Sequence, residues 1–139
     1  MSKHIFTYGS LMFAPVWRGI VDGEYRHSSA AATGIKRVKI VGQSASESYP
    51  VAFRHPSAPS LTGQLYLNVE PSDLQKLDAF EGSYYQRETI QVIADGAPCQ
   101  ADIYLLKRQY LHLATELPWS PQDFERDHLE AFIREYSPA

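Results

Sequence analysis

The sequence has only one cysteine, Cys99, and no long apolar run. A single thiol cannot form a disulfide within the chain or supply a thiolate metal cluster, and we interpret Cys99 as an inert, half-buried thiol. No stretch approaches the ~18 consecutive apolar residues of a membrane-spanning helix, and the first residues lack the apolar core of a signal peptide. We therefore expect a cytoplasmic protein with no membrane partner.

A surplus of basic residues is also missing. The chain has 13 lysines and arginines against 16 aspartates and glutamates, and its formal net charge is −3. A domain that neutralises nucleic-acid phosphates usually carries a basic surplus. We interpret the densest basic stretch, KRVK at 36–39, as the solvated face of a strand. No nucleic-acid partner is expected.

Sequence motifs for metal ions, nucleotides and nucleophilic serines are absent as well. The five histidines have neither H-x-H nor H-E-x-x-H spacing, so we expect no metal site. The nucleotide-binding patterns G-x-G-x-x-G and G-x-x-x-x-G-K-[ST] do not occur, and no cofactor is expected. The stretch TYGSL lacks the G-x-S-x-G elbow of serine hydrolases. Ser10 is interpreted as a turn residue, with a role as nucleophile left open.

The segments that are present indicate one small domain built on a sheet. A chain of 139 residues has the usual size of a single domain and can bury roughly 68% of its unfolded surface. Strands are predicted at 4–8, 35–41, 49–54, 63–69, 87–94 and 100–106. Strands at this spacing, with few long helices between them, favour an antiparallel sheet or barrel.

Two of these strands carry more detailed predictions. In the strand at 63–69, Leu65, Leu67 and Val69 are expected to share one face. Asp95–Gly96 is expected to join the last two strands as a hairpin, because this pair readily adopts positive φ. Pro98 should limit how far the second strand extends backwards.

Helices are predicted beside the sheet. SDLQ at 72–75 has the spacing of a capping box, and Gly82 can end the helix that it begins. Ser120–Pro121 predicts the start of a C-terminal helix, in which the apolar residues of 129–136 recur at helical spacing. A further short helix is predicted around residues 16–25.

The turn in FTYGSLMF, at residues 6–13, is the first stretch that can bind a ligand. A β-type run ends at Tyr8 and the chain bends at Gly9, where backbone can approach another group closely. The turn is either the end of a strand and nothing more, or its N–H groups and Ser10 hold something.

Glu81, in LDAFEGSYYQRE at residues 77–88, is the second feature of interest. At the end of a helix it faces the negative end of the helix dipole, and the neighbouring rings can desolvate it. Both effects raise a carboxyl pKa towards the range useful for proton transfer. The alternative is a solvated glutamate paired with Arg87. The nearest rival, Glu88, is expected to face the opposite side from Arg87.

These stretches resemble the γ-glutamylcyclotransferase-like family, which includes the AIG2-like proteins and γ-glutamylamine cyclotransferases. TYGSL, GQLY at 63–66 and LDAFEGSYYQR at 77–87 occur in the family's order, and the similarity spans roughly residues 4–106. The resemblance implies an α+β fold over a single domain, residues 1–139. Its core is a small, mixed, mostly antiparallel β-barrel flanked by short helices, with a cavity at one end.

The resemblance also implies roles for individual residues. The YGSL-type loop is implied to line the cavity and to offer backbone N–H groups to the substrate; here it is Tyr8, Gly9, Ser10 and Leu11. Glu81 of the FEG motif is implied to be the catalytic acid/base. Tyr85 and Arg87 match the Y-x-R of the motif and are implied to support the site, with a structural role for Arg87 equally open.

The implied partner is a small γ-glutamyl compound, which is converted to 5-oxoproline and a free amine by intramolecular aminolysis. The substrate supplies its own nucleophile, the α-amine, so the reaction needs no covalent enzyme nucleophile, metal or cofactor. Loops at 42–48 and 54–60 are expected to contact the leaving group. A different class of function also stays open, in which the same barrel is a binding or stress-response module without turnover.

Overall fold

The computed structural model describes residues 2–40 and 49–136, and this part of the chain contains eight strands and four α-helices. The strands are β1 Lys3–Thr7, β2 His27–Ala32, β3 Ile35–Ile40, β4 Pro50–Arg54, β5 Leu61–Val69, β6 Tyr85–Ala94, β7 Ala97–Leu106 and β8 Ala114–Pro118. The helices are α1 Ala14–Ile20, α2 Pro71–Glu81, α3 Pro121–Asp127 and α4 Leu129–Tyr136. Short 3₁₀ helices lie at Ser10–Met12 and Arg108–Leu113.

Five strands close into a barrel in the order β1-β5-β2-β6-β7. The pairs are antiparallel except for β1 and β7, which run parallel where Ile5 meets Asp102. Closure pairs the strand edges with one another and so protects them from pairing with other chains. The interior is filled by apolar side chains, among them Phe6, Ala32, Leu65, Val92 and Ile103. The predicted mixed, mostly antiparallel barrel is confirmed.

A three-stranded antiparallel sheet, in the order β4-β3-β8, lies beside the barrel. The helices and this sheet share a second core outside the barrel, which includes Trp17, Tyr66, Leu77, Phe124 and Phe132. Helix α1 contacts both α2 and α4, so the C-terminal helices are docked onto the N-terminal part of the chain. Among the described residues, no helix combines the length and the apolar character needed to cross a membrane.

The hairpin of β6 and β7 forms as predicted. Asp95 and Gly96 have φ values of 52° and 75°, which a two-residue hairpin turn requires. The prediction for Pro98 is wrong, because β7 already begins at Ala97 and Pro98 lies opposite Ile93. That pair is next to the one that closes the turn, at a position where N–H groups point away from the partner strand. The missing N–H of Pro98 therefore costs β6–β7 no hydrogen bond.

The predicted faces of β5 are correct only in part. Leu65 and Leu67 pack into the barrel, whereas Val69 belongs to the outer core. The register against β1 is irregular at this point, and Asn68 has a φ of 55°. A bulge of this kind inserts one extra residue and reverses the faces that follow. On the outer face the Tyr66 ring stacks on Trp17, with 3.7 Å between centroids.

The observed helix ends differ from prediction at the start of α2 and at both ends of α1. The capping box at 72–75 is wrong, because α2 begins at Pro71 with Glu70 before it and no side-chain cap. The end at Gly82 is confirmed by its φ of 81°. The predicted helix at 16–25 is instead Ala14–Ile20.

The C-terminal helix starts as predicted but is divided in two. Ser120 Oγ accepts a hydrogen bond from the Asp123 N–H at 3.2 Å, and Pro121 is the first helical residue. The chain leaves the helical conformation at His128, where φ is −131°, and α4 follows. Periodicity in the apolar residues did not indicate this break.

Gly63 tests the close packing of the barrel. A Cβ added there would lie 2.1 Å from the Thr7 carbonyl oxygen and 2.8 Å from Phe6 Cζ. Because backbone cannot move aside cheaply, we expect Gly63→Ala to lower the free energy of unfolding by about 1–3 kcal/mol or more. Urea denaturation measures this change, with Thr62→Ala, an exposed neighbour on β5, as the control. Equal midpoints for the two variants would contradict the packing of β1 on β5.

Candidate active site

A pocket of about 120 Å³ lies where the end of the barrel meets the three-stranded sheet. Residues 6–11 form one wall, and Pro50 at the start of β4 adjoins them. Glu81 and Tyr85 face them from the end of α2 and the start of β6. The structure thus brings together six of the residues singled out in the sequence: Tyr8, Gly9, Ser10, Leu11, Glu81 and Tyr85.

Glu81 is the last residue of α2, and the positive φ of Gly82 turns the chain away directly after it. Its carboxylate forms no hydrogen bond or ion pair with any described residue. Burial in the pocket, followed by repulsion from Asp78 one turn earlier, raises the pKa of Glu81 from 4.5 to about 8. The direction of this shift is the one expected from the sequence. Tyr84 takes no part in it, since its ring is exposed and contacts Tyr110 instead.

The Tyr8–Leu11 turn places a run of backbone along the pocket wall. The Met12 N–H donates to the Gly9 carbonyl at 3.0 Å, which begins the short 3₁₀ helix. The first N–H groups of such a turn have no acceptor within the helix. In the described residues, no hydrogen bond uses the N–H of Gly9, Ser10 or Leu11.

Gly9 has a packing role that the sequence did not reveal. Its φ is −129° and its ψ is −137°, so the φ is not in the positive range that favours glycine. A Cβ at this position, however, would lie 2.8 Å from Pro50 Cγ. The close approach that excludes a side chain is thus to Pro50 of β4.

Two buried tyrosines tie the walls of the pocket together. The Tyr8 hydroxyl donates to the Tyr104 carbonyl, and the Tyr85 hydroxyl donates to the Pro50 carbonyl at 2.8 Å. Burial raises the pKa of both phenols well above the ordinary value of 10.0. Both hydroxyls therefore stay protonated and fix β1 to β7 and β6 to β4.

Arg87 does not line the pocket. Its Nε donates to Asp78 Oδ1 at 3.1 Å and its Nη1 to Asp102 Oδ2 at 3.0 Å. The Tyr104 hydroxyl donates to the same Asp78 oxygen at 2.7 Å. This network joins α2 to the outer wall of the barrel just before Glu81. The pairing of Arg87 with Glu81 that the sequence left open is not formed.

The other candidate groups lie apart from these contacts. Glu88 accepts hydrogen bonds from Gln86 at 2.7 Å and Arg54 at 3.1 Å and, like Arg87, is not among the residues that line the pocket. Ser10 is buried at the pocket, but no histidine is among the described lining residues. Within the described ranges, no group of three or more His, Cys, Asp or Glu residues could hold a metal ion.

The two loops expected to contact a leaving group remain a prediction. Residues 42–48 lie outside the described residues. In the described part of the chain, residues 54–60 are not among those that line the pocket.

Sequence reasoning missed several residues at or behind the pocket. Tyr104 and Phe132 line it from β7 and α4. Arg37 belongs to the KRVK stretch, and its interpretation as solvated is wrong, because its Nη1 donates to the Tyr8 carbonyl at 2.8 Å. Its guanidinium also lies over the Trp119 ring, 5.1 Å from the centroid. The only local signal for this contact was that two polar residues follow one another at 36–37, which interrupts the alternation of polar and apolar residues in the strand.

The match to known proteins covers all the described residues that line the pocket except Phe132. Residues 5–124 match the family described as gamma-glutamyl cyclotransferase, AIG2-like. The chain belongs to this family. AIG2-like protein D of Arabidopsis thaliana is 26% identical over 135 residues, which is 94% of this chain and 84% of that protein.

Solved structures support the shared fold of the gamma-glutamyl cyclotransferase, AIG2-like family. One named gamma-glutamyl cyclotransferase has a TM-score of 0.69 at 16% identity, over 100% of this chain and 90% of that chain. The crystal structure of an AIG2-like protein from Mus musculus has a TM-score of 0.59 at 24% identity, over 86% of this chain and 96% of that chain. At these identities the likeness shows the fold alone.

The raised pKa of Glu81 predicts a pH-dependent cost to stability. Between pH 4.5 and about 8 the folded state keeps a proton that the unfolded chain releases, so stability falls as pH rises through this window. Glu81→Gln removes that loss. We expect the melting temperature of the variant, relative to wild type, to be higher at pH 9 than at pH 5.

Glu88→Gln is the matched control for this measurement. The hydrogen bond from Gln86, with Arg54 beside it, lowers the pKa of Glu88, so Glu88 is mostly ionised in folded and unfolded chains at pH 5 and fully ionised at pH 9. Its effect on the melting temperature should be nearly the same at pH 5 and pH 9. A pH-independent effect of Glu81→Gln as well would contradict the desolvation of Glu81.

Proposed function

We propose that the chain is a γ-glutamyl cyclotransferase, which converts a γ-glutamyl amine or γ-glutamyl amino acid to 5-oxoproline and a free amine. The observation that carries the proposal is the Glu81 carboxyl, with a pKa raised to about 8 and no protein partner among the described residues, in the same pocket as the Tyr8–Leu11 turn. Membership of the family supports the same reaction class.

Glu81 as the proton carrier fits the acidity of the substrate. The α-ammonium of a γ-glutamyl compound has a free α-carboxylate beside it, which holds its pKa above the ~7.7–8.0 of a peptide N-terminus. A carboxyl with a pKa of about 8 is closer to that range than an ordinary glutamate, so the proton transfer to it costs less free energy. A glutamate at its ordinary pKa would be a much weaker base for this step. Burial of the carboxyl therefore serves the chemistry although it costs stability.

The reaction makes one C–N bond, breaks another and moves three protons. Ionised Glu81 takes a proton from the α-ammonium, and the freed amine attacks the γ-carbonyl carbon to form the C–N bond of the five-membered ring. The tetrahedral intermediate then expels the original amine, whose nitrogen takes the proton back from Glu81. The new ring nitrogen gives its surplus proton to the released amine, which leaves as an ammonium ion. Because nucleophile and carbonyl belong to one molecule, the protein mainly has to hold the folded substrate conformation.

The Tyr8–Leu11 turn is proposed to stabilise the negative oxygen of that intermediate. The turn lines the same pocket as Glu81, and the buried hydroxyls of Tyr8 and Tyr85 hold this part of the pocket in place through their hydrogen bonds. Fixed backbone N–H donors are effective because they need no reorganisation as charge develops. Ser10 contributes to the turn and is not proposed as a nucleophile, since no histidine among the described residues lines the pocket.

The first test is release of 5-oxoproline, followed by mass spectrometry, from a panel of γ-glutamyl amines and γ-glutamyl amino acids. Wild type should give product, and Glu81→Gln should lower the rate by about 10²–10⁴-fold, which is the usual share of general acid–base catalysis. Glu88→Gln, a carboxylate outside the pocket, should retain the wild-type rate.

Two results would count against this function. A fully active Glu81→Gln variant would remove the proposed proton carrier. A wild-type protein that gains thermal stability with these compounds, yet forms no 5-oxoproline from them, would instead be a binding module.

A further inference from the structure

Arg37 is the strongest feature of the site that the proposed reaction does not yet use. It lies on β3, in the three-stranded sheet and outside the barrel, yet its Nη1 reaches the carbonyl of Tyr8 at 2.8 Å. That carbonyl is the last one before Gly9, where the pocket wall turns. The side chain is half-buried, so the hydrogen bond is partly shielded from solvent.

The contact fixes a peptide plane. A trans peptide is flat, and its C=O and N–H groups point in opposite directions. No cis peptide bond occurs in the described residues. Holding the Tyr8 carbonyl towards Arg37 therefore directs the N–H of Gly9, a residue of the pocket lining, away from Arg37.

The Tyr8–Gly9 peptide is also the one most in need of such a restraint. Rotation of a peptide plane changes φ of the residue after it, and glycine resists this change less than any other residue. A rotated plane would turn the Tyr8 carbonyl oxygen towards the pocket, where it would repel a developing oxyanion. The charged hydrogen bond from Arg37 opposes this rotation and polarises the N–H at the other end of the peptide.

Trp119 holds the guanidinium in position. The ring lies 5.1 Å from the guanidinium carbon and packs on Phe124, with 5.5 Å between ring centroids. Trp119 is buried and follows directly after β8, which pairs with β3. A cation over an indole face is stabilised without competing for the hydrogen-bond donors. The C-terminal third of the chain thus reaches the pocket through Arg37 as well as through Phe132.

We propose that Arg37 is a positioning residue, which orients the Tyr8–Gly9 peptide so that the Gly9 N–H donates to the oxygen of the substrate γ-carbonyl. The inference rests on the proposed cyclotransferase function and names one donor of its oxyanion site. In this proposal the two groups of the peptide have different partners. Arg37 binds the Tyr8 carbonyl and does not contact the substrate, whereas the Gly9 N–H binds the substrate.

Arg37→Met removes the charge and the donor but keeps an aliphatic stem to cover Trp119. We expect kcat for 5-oxoproline release to fall about 10–100-fold, somewhat less than the ~10²–10³ lost when a donor itself is deleted. KM should change less than kcat, because the donor matters most once the oxygen carries charge. Arg37→Lys, which can still donate to the carbonyl, should recover most of the rate. Lys39→Met, an exposed lysine on the same strand, is the control for loss of one positive charge.

A second readout does not depend on turnover. In ¹⁵N relaxation-dispersion NMR of the ligand-free protein, the Gly9 amide should show new exchange in Arg37→Met and none in wild type, Arg37→Lys or Lys39→Met. If Arg37→Met does not fold, Arg37→Gln, which keeps an uncharged donor, takes its place and should show the same changes at smaller size.

The outcomes separate the two proposals. If wild type releases no 5-oxoproline, the proposed function fails, and the NMR result alone decides whether Arg37 orients the peptide. If wild type is active, a wild-type kcat in Arg37→Met, or a loss confined to KM, would overturn the positioning role. An unchanged Gly9 amide in a folded Arg37→Met variant would overturn it in either case.

Discussion

The desolvated carboxyl of Glu81 is the interaction on which the rest of the site depends. The end of a helix and the wall of a pocket both disfavour its charge, so its position has to be enforced by other contacts. The network of Arg87 with Asp78 and Asp102 supplies that enforcement by joining α2 to the barrel one turn before Glu81. Asp78 serves twice, since its charge also contributes to the raised pKa of Glu81. The second half of the Y-x-R motif is thereby a support of the helix and not a wall of the pocket.

The opposite wall is built by a different means. The geometry of the turn after β1 comes from its contacts with both sheets. Pro50 fills the space that a side chain on Gly9 would need, the Tyr8 hydroxyl reaches β7, and Arg37 holds the Tyr8 carbonyl. Without the three-stranded sheet, the turn would lose its contacts with Pro50 and Arg37. The pocket lies at the junction because each sheet supplies contacts that the other lacks.

The sequence predicted the features that depend on local interactions, and it did not predict those that depend on residues far apart in the chain. The turn at Asp95–Gly96 and the helix end at Gly82 depend on backbone conformations of the residues themselves, and both were predicted. The strand β2, HSSAAA, was missed because it has no β-branched or aromatic residue, and its pairing with β5 and β6 decides its conformation. In the site, the unfavourable environment of the Glu81 carboxylate could be predicted from its position at a helix end among aromatic residues. The contact of Arg37 could not, since its partner Tyr8 is 29 positions away and only the fold brings them together.

The most direct test of the central claim is the titration of the Glu81 side chain itself. The carboxyl carbon is followed by ¹³C NMR between pH 4 and pH 10, with Glu81→Gln identifying its resonance. A midpoint of about 8 is expected, together with a displacement of that midpoint when 5-oxoproline is added. A midpoint near 4.5 would mean that the carboxyl is solvated and ionised throughout, and would contradict its role as the proton carrier of this pocket.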